Sequence, residues 1–283
     1  YGFRPGRSAH QALTALGGKT MKMYGGWVVE VDIQGFFDNL EHHHLRAILS
    51  KRVGDGVIMR LVGKWLNAGV MQAQEVRYPD KGTPQGGVIS PILANIYLDE
   101  VVDKWWRQDI EPRLYGRATM VRYADDMVMV FERREDAERM MVALPKRFAR
   151  YGLELHPDKT RMLPFEPPDK RIPGRSGGPP EPPGSFGFLG FTLYWRKTRK
   201  GKWGIGRKTA KSRLRRTFVR LNQWLKKHRH QPVPAQHKKL CAALRGHYAY
   251  FGVTGNIRAL NSVFDRVTQM WRKWLSRRAG GPA

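Results

Sequence analysis

Apolar residues follow two rhythms along this chain, a period of two in short runs and a period near 3.6 in longer ones. "WVVEVDI" (27–33) reads as a strand, with Glu30 and Asp32 on the same side. Helical spacing runs from about Glu41 to Val53 and again from about Val57 to Asn67. "AQEVRYPDKGTPQGG" combines a short strand with a Gly/Pro turn. "VISPILANIYLDEVVDKWW" then predicts a long apolar helix, with Pro91 near its start, where proline is tolerated. In "TMVRYADDMVMVF" (119–131), two apolar runs flank a tight turn at Ala124–Asp125–Asp126. A helix from about Glu135 to Tyr151 precedes "GLEL", a turn at "HPD", and "KTRML". The order β, α, α, β, α, β–β, α, β predicts an α+β domain, a split βαβ antiparallel sheet with helices on one face.

From Pro164 to Ser185 the chain is mostly Pro, Gly and charged residues, a composition that cannot bury enough to fold alone and reads as a linker. "FGFLGFTLYW" and "KWGIG" then bracket a basic turn, predicting a hairpin. Three helices complete the pattern. The first places Leu214, Phe218, Leu221 and Leu225 on one stripe, and the second carries Leu240, Leu244, Tyr248 and Phe251. The third has Ile257, Leu260, Phe264, Val267, Trp271 and Trp274 at alternating spacings of three and four, read as core positions.

Charge sharpens this division. From Arg196 onward there are 24 Lys and Arg against the single acid Asp265, and before it 27 against 23. A net +27 concentrated in the last third implies a polyanionic partner, with nucleic acid first. The lone cysteine, Cys241, rules out an intrachain disulfide and a cysteine-rich zinc site, and fits a reducing setting. No apolar run reaches the length of a membrane span, so no membrane partner is expected. The chain begins "YGFRPGRS" without an initiating Met, which reads as a piece of something longer. "HHH" (42–44) is consecutive, so its members diverge by about 100° each on a helix, which argues against a metal site.

Asp125 and Asp126 stand between runs that read as buried strand, and like charges there are costly to keep ionised without a cation nearby. The residues alone leave two readings. Either the pair shapes a turn, as Asp often does, or it joins Asp32, at the end of another apolar strand, to hold hard cations such as Mg²⁺. Two such ions about 4 Å apart serve in-line phosphoryl displacement.

The order of the remaining blocks favours the second reading. "VDIQGFFD", "GTPQGGVISP", "YADD", "GLELHPDKT" and "FLGF" follow one another as do the motifs of reverse transcriptases. The series resembles that of bacterial group II intron-encoded reverse transcriptase/maturases. "YGFRPGRSAHQAL" resembles that family's second finger block, and "LRGHYAYFGVTGNIRALNSVF" its maturase (thumb/X) region. The resemblance covers nearly the entire chain.

It implies a right-hand polymerase palm with partial fingers, followed by an all-α basic thumb/maturase bundle. The corresponding regions are partial fingers 1–26, palm 27–163, linker 164–185, primer-grip hairpin 186–206 and helical thumb/maturase 207–283. By motif position Asp32 and Asp125 would be the principal ligands of two Mg²⁺ ions, with Asp126 completing the triad and the Ile33 carbonyl assisting. Gln85 would lie against the incoming nucleotide and template. Lys159 falls where the family places a lysine near the departing pyrophosphate, as general acid or as a phosphate contact. Phe188, Leu189 and Gly190 would grip the primer end, and Arg4 and Arg7 would contact triphosphate or template backbone. Phe37, five residues after Asp32, falls where the family has a bulky side chain beneath the sugar; an aromatic ring there excludes a 2′-hydroxyl and favours deoxynucleotides, unless Phe37 is simply core beside Phe36. Arg213, Arg216, Arg220, Lys226 and Lys227 are the candidate RNA contacts on the first basic helix.

The implied function is RNA-directed DNA synthesis joined to binding of intron RNA and assistance of splicing and retrohoming. The implied partners are group II intron RNA, an RNA template/DNA primer duplex and deoxynucleoside triphosphates, in the bacterial cytoplasm at the nucleoid. Two alternatives stay open: an RNA-binding splicing maturase with an incomplete polymerase, and a different palm-type polymerase such as that of a retron.

Overall fold

The computed structural model describes residues 1–66, 70–72, 75–77, 89–168 and 184–278, the two short stretches at 70–72 and 75–77 by backbone alone. They form two compact units, Tyr1–Gly184 and Ser185–Ala283.

The first unit is built on an antiparallel sheet of four strands: β1 (Gly26–Val31), β4 (Ala118–Tyr123), β5 (Asp126–Phe131) and β6 (Arg161–Phe165). Their order across the sheet is β4-β5-β1-β6. A separate small ribbon pairs β2 (Val70–Gln72) with β3 (Glu75–Arg77). Val29, Val31, Met127, Met129 and Phe131 face one core. A single helical turn after β1, α2 (Phe36–Asn39), adds Phe36 to it. The longer helices that supply most of the rest are α3 (His42–Ser50), α4 (Gly56–Leu66), α5 (Ser90–Leu98) and α6 (Arg134–Ala149). Tyr97, Leu98, Leu144 and Phe148 are fully enclosed there. Pro91 sits in the first turn of α5, where a missing N–H costs nothing.

Beyond α5 the same helix widens into π-helical turns over Asp99–Lys104 and Trp106–Ile110. The Arg147 guanidinium donates to the carbonyls of Glu100 and Val101 in the first of these wider turns.

Four boundaries differ from the sequence pattern. Helix α1 (Ala9–Met23) was not foreseen. Its signal is the capping box Ser8-x-x-Gln11, in which Ser8 Oγ accepts from Gln11 N–H and the Gln11 side chain accepts from Ser8 N–H. It packs along β4, and Val28, Val121, Val128 and Val130 are buried on the sheet's other face. Strand β1 ends at Val31, because the Asp32 carbonyl and the Gln34 N–H turn to the segment after α6 instead. Of "GLEL", only Leu155 makes a bridge, to Ile33. Pro164 and Phe165, expected in the linker, belong to β6 and pair with Trp27 and Gly26.

The second unit opens with a three-stranded sheet of β7 (Ser185–Phe188), β8 (Phe191–Lys197) and β9 (Trp203–Thr209). Three helices follow: α7 (Lys211–Lys227), α8 (Val233–Phe251) and α9 (Ile257–Leu275). Their seam is Leu221, Leu225, Leu240, Val263, Val267, Met270 and Trp274. The third stripe is therefore rotated from the sequence reading. Ile257 and Phe264 are more than half exposed, while Val263 and Met270 are buried. Asn256, wholly buried before α9, accepts from Thr209 N–H and donates to Thr209 Oγ1 and the Phe251 carbonyl. Among the described residues no helix is long and apolar enough to cross a membrane.

Candidate active site

The β4–β5 hairpin closes on the pair Tyr123–Asp126, leaving Ala124 and Asp125 as its two-residue turn. Ala124 has φ 56°, the left-handed region where a side chain costs about 1 kcal/mol or more. Two contacts hold it there. The Arg122 guanidinium donates to the Ala124 carbonyl at 3.0 Å, and Gly2 lies so close behind that a Cβ on it would stand 2.7 Å from the Ala124 nitrogen.

Arg122 is the centre of this support. Its side chain is 9% exposed and forms a two-pronged ion pair with Asp103, Nε to Oδ1 being 3.0 Å. It also donates to Asn95 Oδ1 at 3.1 Å, and Asn95 in turn donates to the Gly2 carbonyl. Sequence reasoning missed Arg122, Asn95 and Asp103. Their only signal is an Arg within an otherwise apolar strand, which must find an acid when buried.

Asp32 reaches the same end of the sheet from β1. Val31 pairs with Met127, so Asp32 is the next position along, beside Asp126 in register and one residue from Asp125. Its main chain is clamped by the bend after α6: His156 N–H donates to the Asp32 carbonyl at 2.8 Å, and Thr160 Oγ1 contacts both Asp32 N and O at 3.3 Å. Hydrogen bonds from Gln34 to Glu154 and from His156 to Asp32 flank the Ile33–Leu155 bridge. That pattern points the Ile33 carbonyl away from the bend, toward the edge where β5 begins. His156 and Thr160 are further positioning residues that the sequence reading passed over.

The Asp32 carboxylate meets Lys159, whose Nζ stands 3.1 Å from Oδ2. Asp125 is half-buried and Asp126 exposed. Among the described residues, the one trio of ligand side chains with donor atoms mutually within 4.8 Å is Glu41, His43 and His44, not the three aspartates. The aspartate donors are all hard oxygens on two backbone segments held in register, and a cation already rests on one carboxylate. That set fits divalent ions that keep several waters and bind substrate phosphates.

Phe37 is half-buried and meets Phe36 edge-on at 5.2 Å, while Phe36 is 3% exposed. Phe36 lies inside the core, and Phe37 packs against the same core from a partly exposed position. Arg4 and Arg7 are exposed ahead of α1 and share a cleft of about 400 Å³ with Tyr1, Asp103 and Arg107; none of the three aspartates lines it. Gln85 lies outside the described residues.

In the second unit, Leu189 and Gly190 form the β7–β8 turn with φ 50° and 78°. Phe188 and Leu189 are buried, Tyr250 Oη donates to the Leu189 carbonyl at 3.0 Å, and the Arg213 side chain lies against Gly190. Both carbonyls of the turn are thus held within the unit, that of Gly190 accepting from the Ala210 N–H. Arg213, Arg216, Arg220, Lys226 and Lys227 are all exposed on α7.

Comparison with known proteins agrees with this architecture. The Group II intron-encoded protein LtrA of Lactococcus lactis subsp. cremoris is 44% identical over 104 residues, covering 36% of this chain and 16% of that protein. Protein YkfC of Escherichia coli (strain K12) is 30% identical, covering 72% of this chain and 57% of that protein. The chain thus spans a minor part of the first relative and little over half of the second. Among solved structures, apo telomerase from Candida tropicalis superposes with a TM-score of 0.51 at 12% identity, over 95% of this chain and 49% of that one. That likeness concerns the fold alone, a right-hand polymerase architecture. The family described as reverse transcriptase (RNA-dependent DNA polymerase) matches residues 1–193. A match across that span, with the aspartate-bearing turn and the end of β1 inside it, makes this chain a member of the reverse transcriptase family.

Proposed function

We propose that this chain is the polymerase and RNA-binding core of a group II intron-encoded reverse transcriptase, copying RNA into DNA and assisting splicing of its own intron. The observation that carries the reading is the register of β1 against β5, which sets Asp32 beside the Asp125–Asp126 turn, with Lys159 on the Asp32 carboxylate.

The reaction joins the primer 3′-oxygen to the α-phosphorus of a deoxynucleoside triphosphate and releases pyrophosphate. Asp32 and Asp125, with Asp126 and the Ile33 carbonyl, would hold two Mg²⁺ ions, which supply charge neutralisation for the attacking oxygen and the triphosphate. Lys159 sits at the mouth of this set and would give its proton or a hydrogen bond to the departing pyrophosphate. Phe37 bars a 2′-hydroxyl, and Gln85 aligns nucleotide and template. Arg4 and Arg7 meet triphosphate or template backbone. The buried Phe188–Leu189 and the partly exposed Gly190 would present a rigid turn to the primer end. The basic face of α7, through Arg213, Arg216, Arg220, Lys226 and Lys227, lies along the template–primer duplex and intron RNA.

Primer extension on an RNA template with Mg²⁺ tests this, comparing wild type with Asp125→Asn/Asp126→Asn. Incorporation by the wild type and loss of it in the variant, with RNA affinity retained, supports the reading. Equal incorporation by both overturns the polymerase site, and RNA binding without incorporation by the wild type favours a splicing maturase alone.

A further inference from the structure

Away from the polymerase aspartates, three metal-ligating side chains come together at the start of α3. Glu41 precedes the helix with extended backbone, φ −77° and ψ 121°, and His43 and His44 lie in its first turn. Their donor atoms are within 4.8 Å of one another. His43 Nδ1 is 3.2 Å from Glu41 Oε2, and the rings of His43 and His44 are 4.0 Å apart at a tilt of 37°. The divergence expected of consecutive histidines is thus overcome, because the carboxylate comes from the extended cap and reaches back over the first turn.

Two neighbours seat the cluster. Gly152, at φ 65°, has no Cβ; one placed there would come within 2.5 Å of Glu41 Oε1, so the carboxylate rests on bare backbone. The His44 ring packs on Tyr151 at 5.3 Å. Both neighbours belong to the bend after α6. His43 is the open side, 68% exposed, leaving room for water or a further ligand.

We propose that Glu41, His43 and His44 form a binding site for Zn²⁺, with solvent completing its coordination. Two imidazoles and a carboxylate are a donor set that Zn²⁺ favours and Mg²⁺ does not. A tetrahedral Zn²⁺ with bonds near 2.0–2.1 Å sets its ligand atoms about 3.3 Å apart. The Glu41–His43 pair already has that separation, and His44 closes the rest by a small ring movement. All three ligands lie within Glu41–His44, so the ion would stiffen the start of α3 where it packs on the bend whose continuation, Glu154–His156, hydrogen-bonds Asp32–Gln34. It is a site of its own, independent of the polymerase reading.

The test is Zn²⁺ titration of the untagged chain in excess Mg²⁺, by calorimetry and by competition with a chromogenic chelator. Wild type and the control His230→Ala should each bind one equivalent more than His43→Ala/His44→Ala. Glu41→Gln should weaken that equivalent at least roughly tenfold, since even groups that only support a ligand commonly cost that much. Zn²⁺ should raise the Tm of wild type and not of the double variant. Should the double variant fold poorly, His43→Gln alone, at an exposed position, carries the comparison. Equal Zn²⁺ stoichiometry in wild type and the histidine variants, or no uptake by the wild type, overturns the site.

Discussion

Lys159 Nζ stands 3.1 Å from Asp32 Oδ2, so the lysine proposed for the leaving group and the aspartate proposed for the metal share one ion pair before substrate arrives. A metal entering the site must displace that ammonium. Lys159→Gln should therefore lower the Mg²⁺ concentration for half-maximal synthesis. At the same time it should slow the chemical step, by about 10²-fold or more if the lysine acts as general acid. Single-turnover extension across a Mg²⁺ series reads both. A slower step with unchanged Mg²⁺ dependence would mean the ion pair is incidental.

Arg122 should matter more than its distance from substrate suggests. It ties the Ala124 carbonyl to Asp103 and Asn95 behind the turn. Arg122→Lys keeps a charge but loses the fork that serves three acceptors at once. Synthesis should fall at least roughly tenfold with a raised Mg²⁺ requirement, the pattern of a mis-set ligand shell. RNA affinity, read on the same protein, should stay unchanged. A parallel loss of RNA affinity would mean the whole unit is disturbed.

Phe37→Val should open the sugar pocket. Incorporation of ribonucleotides relative to deoxynucleotides should rise by one or more orders of magnitude, since a single packing contact is worth about 1–3 kcal/mol in discrimination. Phe36→Val, at the buried neighbour, should lower Tm without changing sugar choice. The opposite assignment would show that Phe37 is core.

The placement of Asp32 and of Asp125–Asp126 at one end of the sheet was legible in the sequence, because periodic apolar runs mark where strands end. The hairpin, β1 and the three basic helices were all visible as periodic apolar runs. What was hidden depends on tertiary partners. The Arg122–Asp103–Asn95 network joins residues 95 to 122 across two elements, and no local spacing reveals it. The clamp on Asp32 by His156 and Thr160 is of the same kind, a pairing across more than a hundred residues. The rotated seam of α9 has another cause. That helix carries apolar residues on more than one face, Ile257 and Phe264 as well as Val263 and Met270, and only packing against α7 and α8 selects among them.

Acid should weaken the second unit in a defined way. Burial, with Arg220 nearby, depresses the His247 pKa, and its Nε2 has no hydrogen-bond partner among the described residues. The unfolded chain takes up this proton at its ordinary value, about 6.5, before the folded one does. The stability from a neutral His247 is thus fully present above that pH and is lost as pH falls through the lower folded value. Tm should drop as pH falls below about 6.5, and His247→Phe should flatten that part of the drop. An unchanged pH profile in the variant would place the sensitivity elsewhere.

The basic face of α7 makes a quantitative claim about salt. Neutralising Arg213, Arg216, Arg220, Lys226 and Lys227 to Gln should reduce the log–log salt slope of RNA binding by about 0.7–0.9 for each phosphate left without its cation. Weaker binding with the same slope would mean these side chains do not meet phosphates.

The most direct measurement counts divalent ions on the protein loaded with RNA template, DNA primer and a non-hydrolysable deoxynucleoside triphosphate. With Mn²⁺ in place of Mg²⁺, electron paramagnetic resonance should find two ions bound to wild type and fewer to Asp32→Asn and to Asp125→Asn, each variant losing synthesis in step. The same number of bound ions in all three proteins would show that the end of β1 and the β4–β5 turn do not share a metal site.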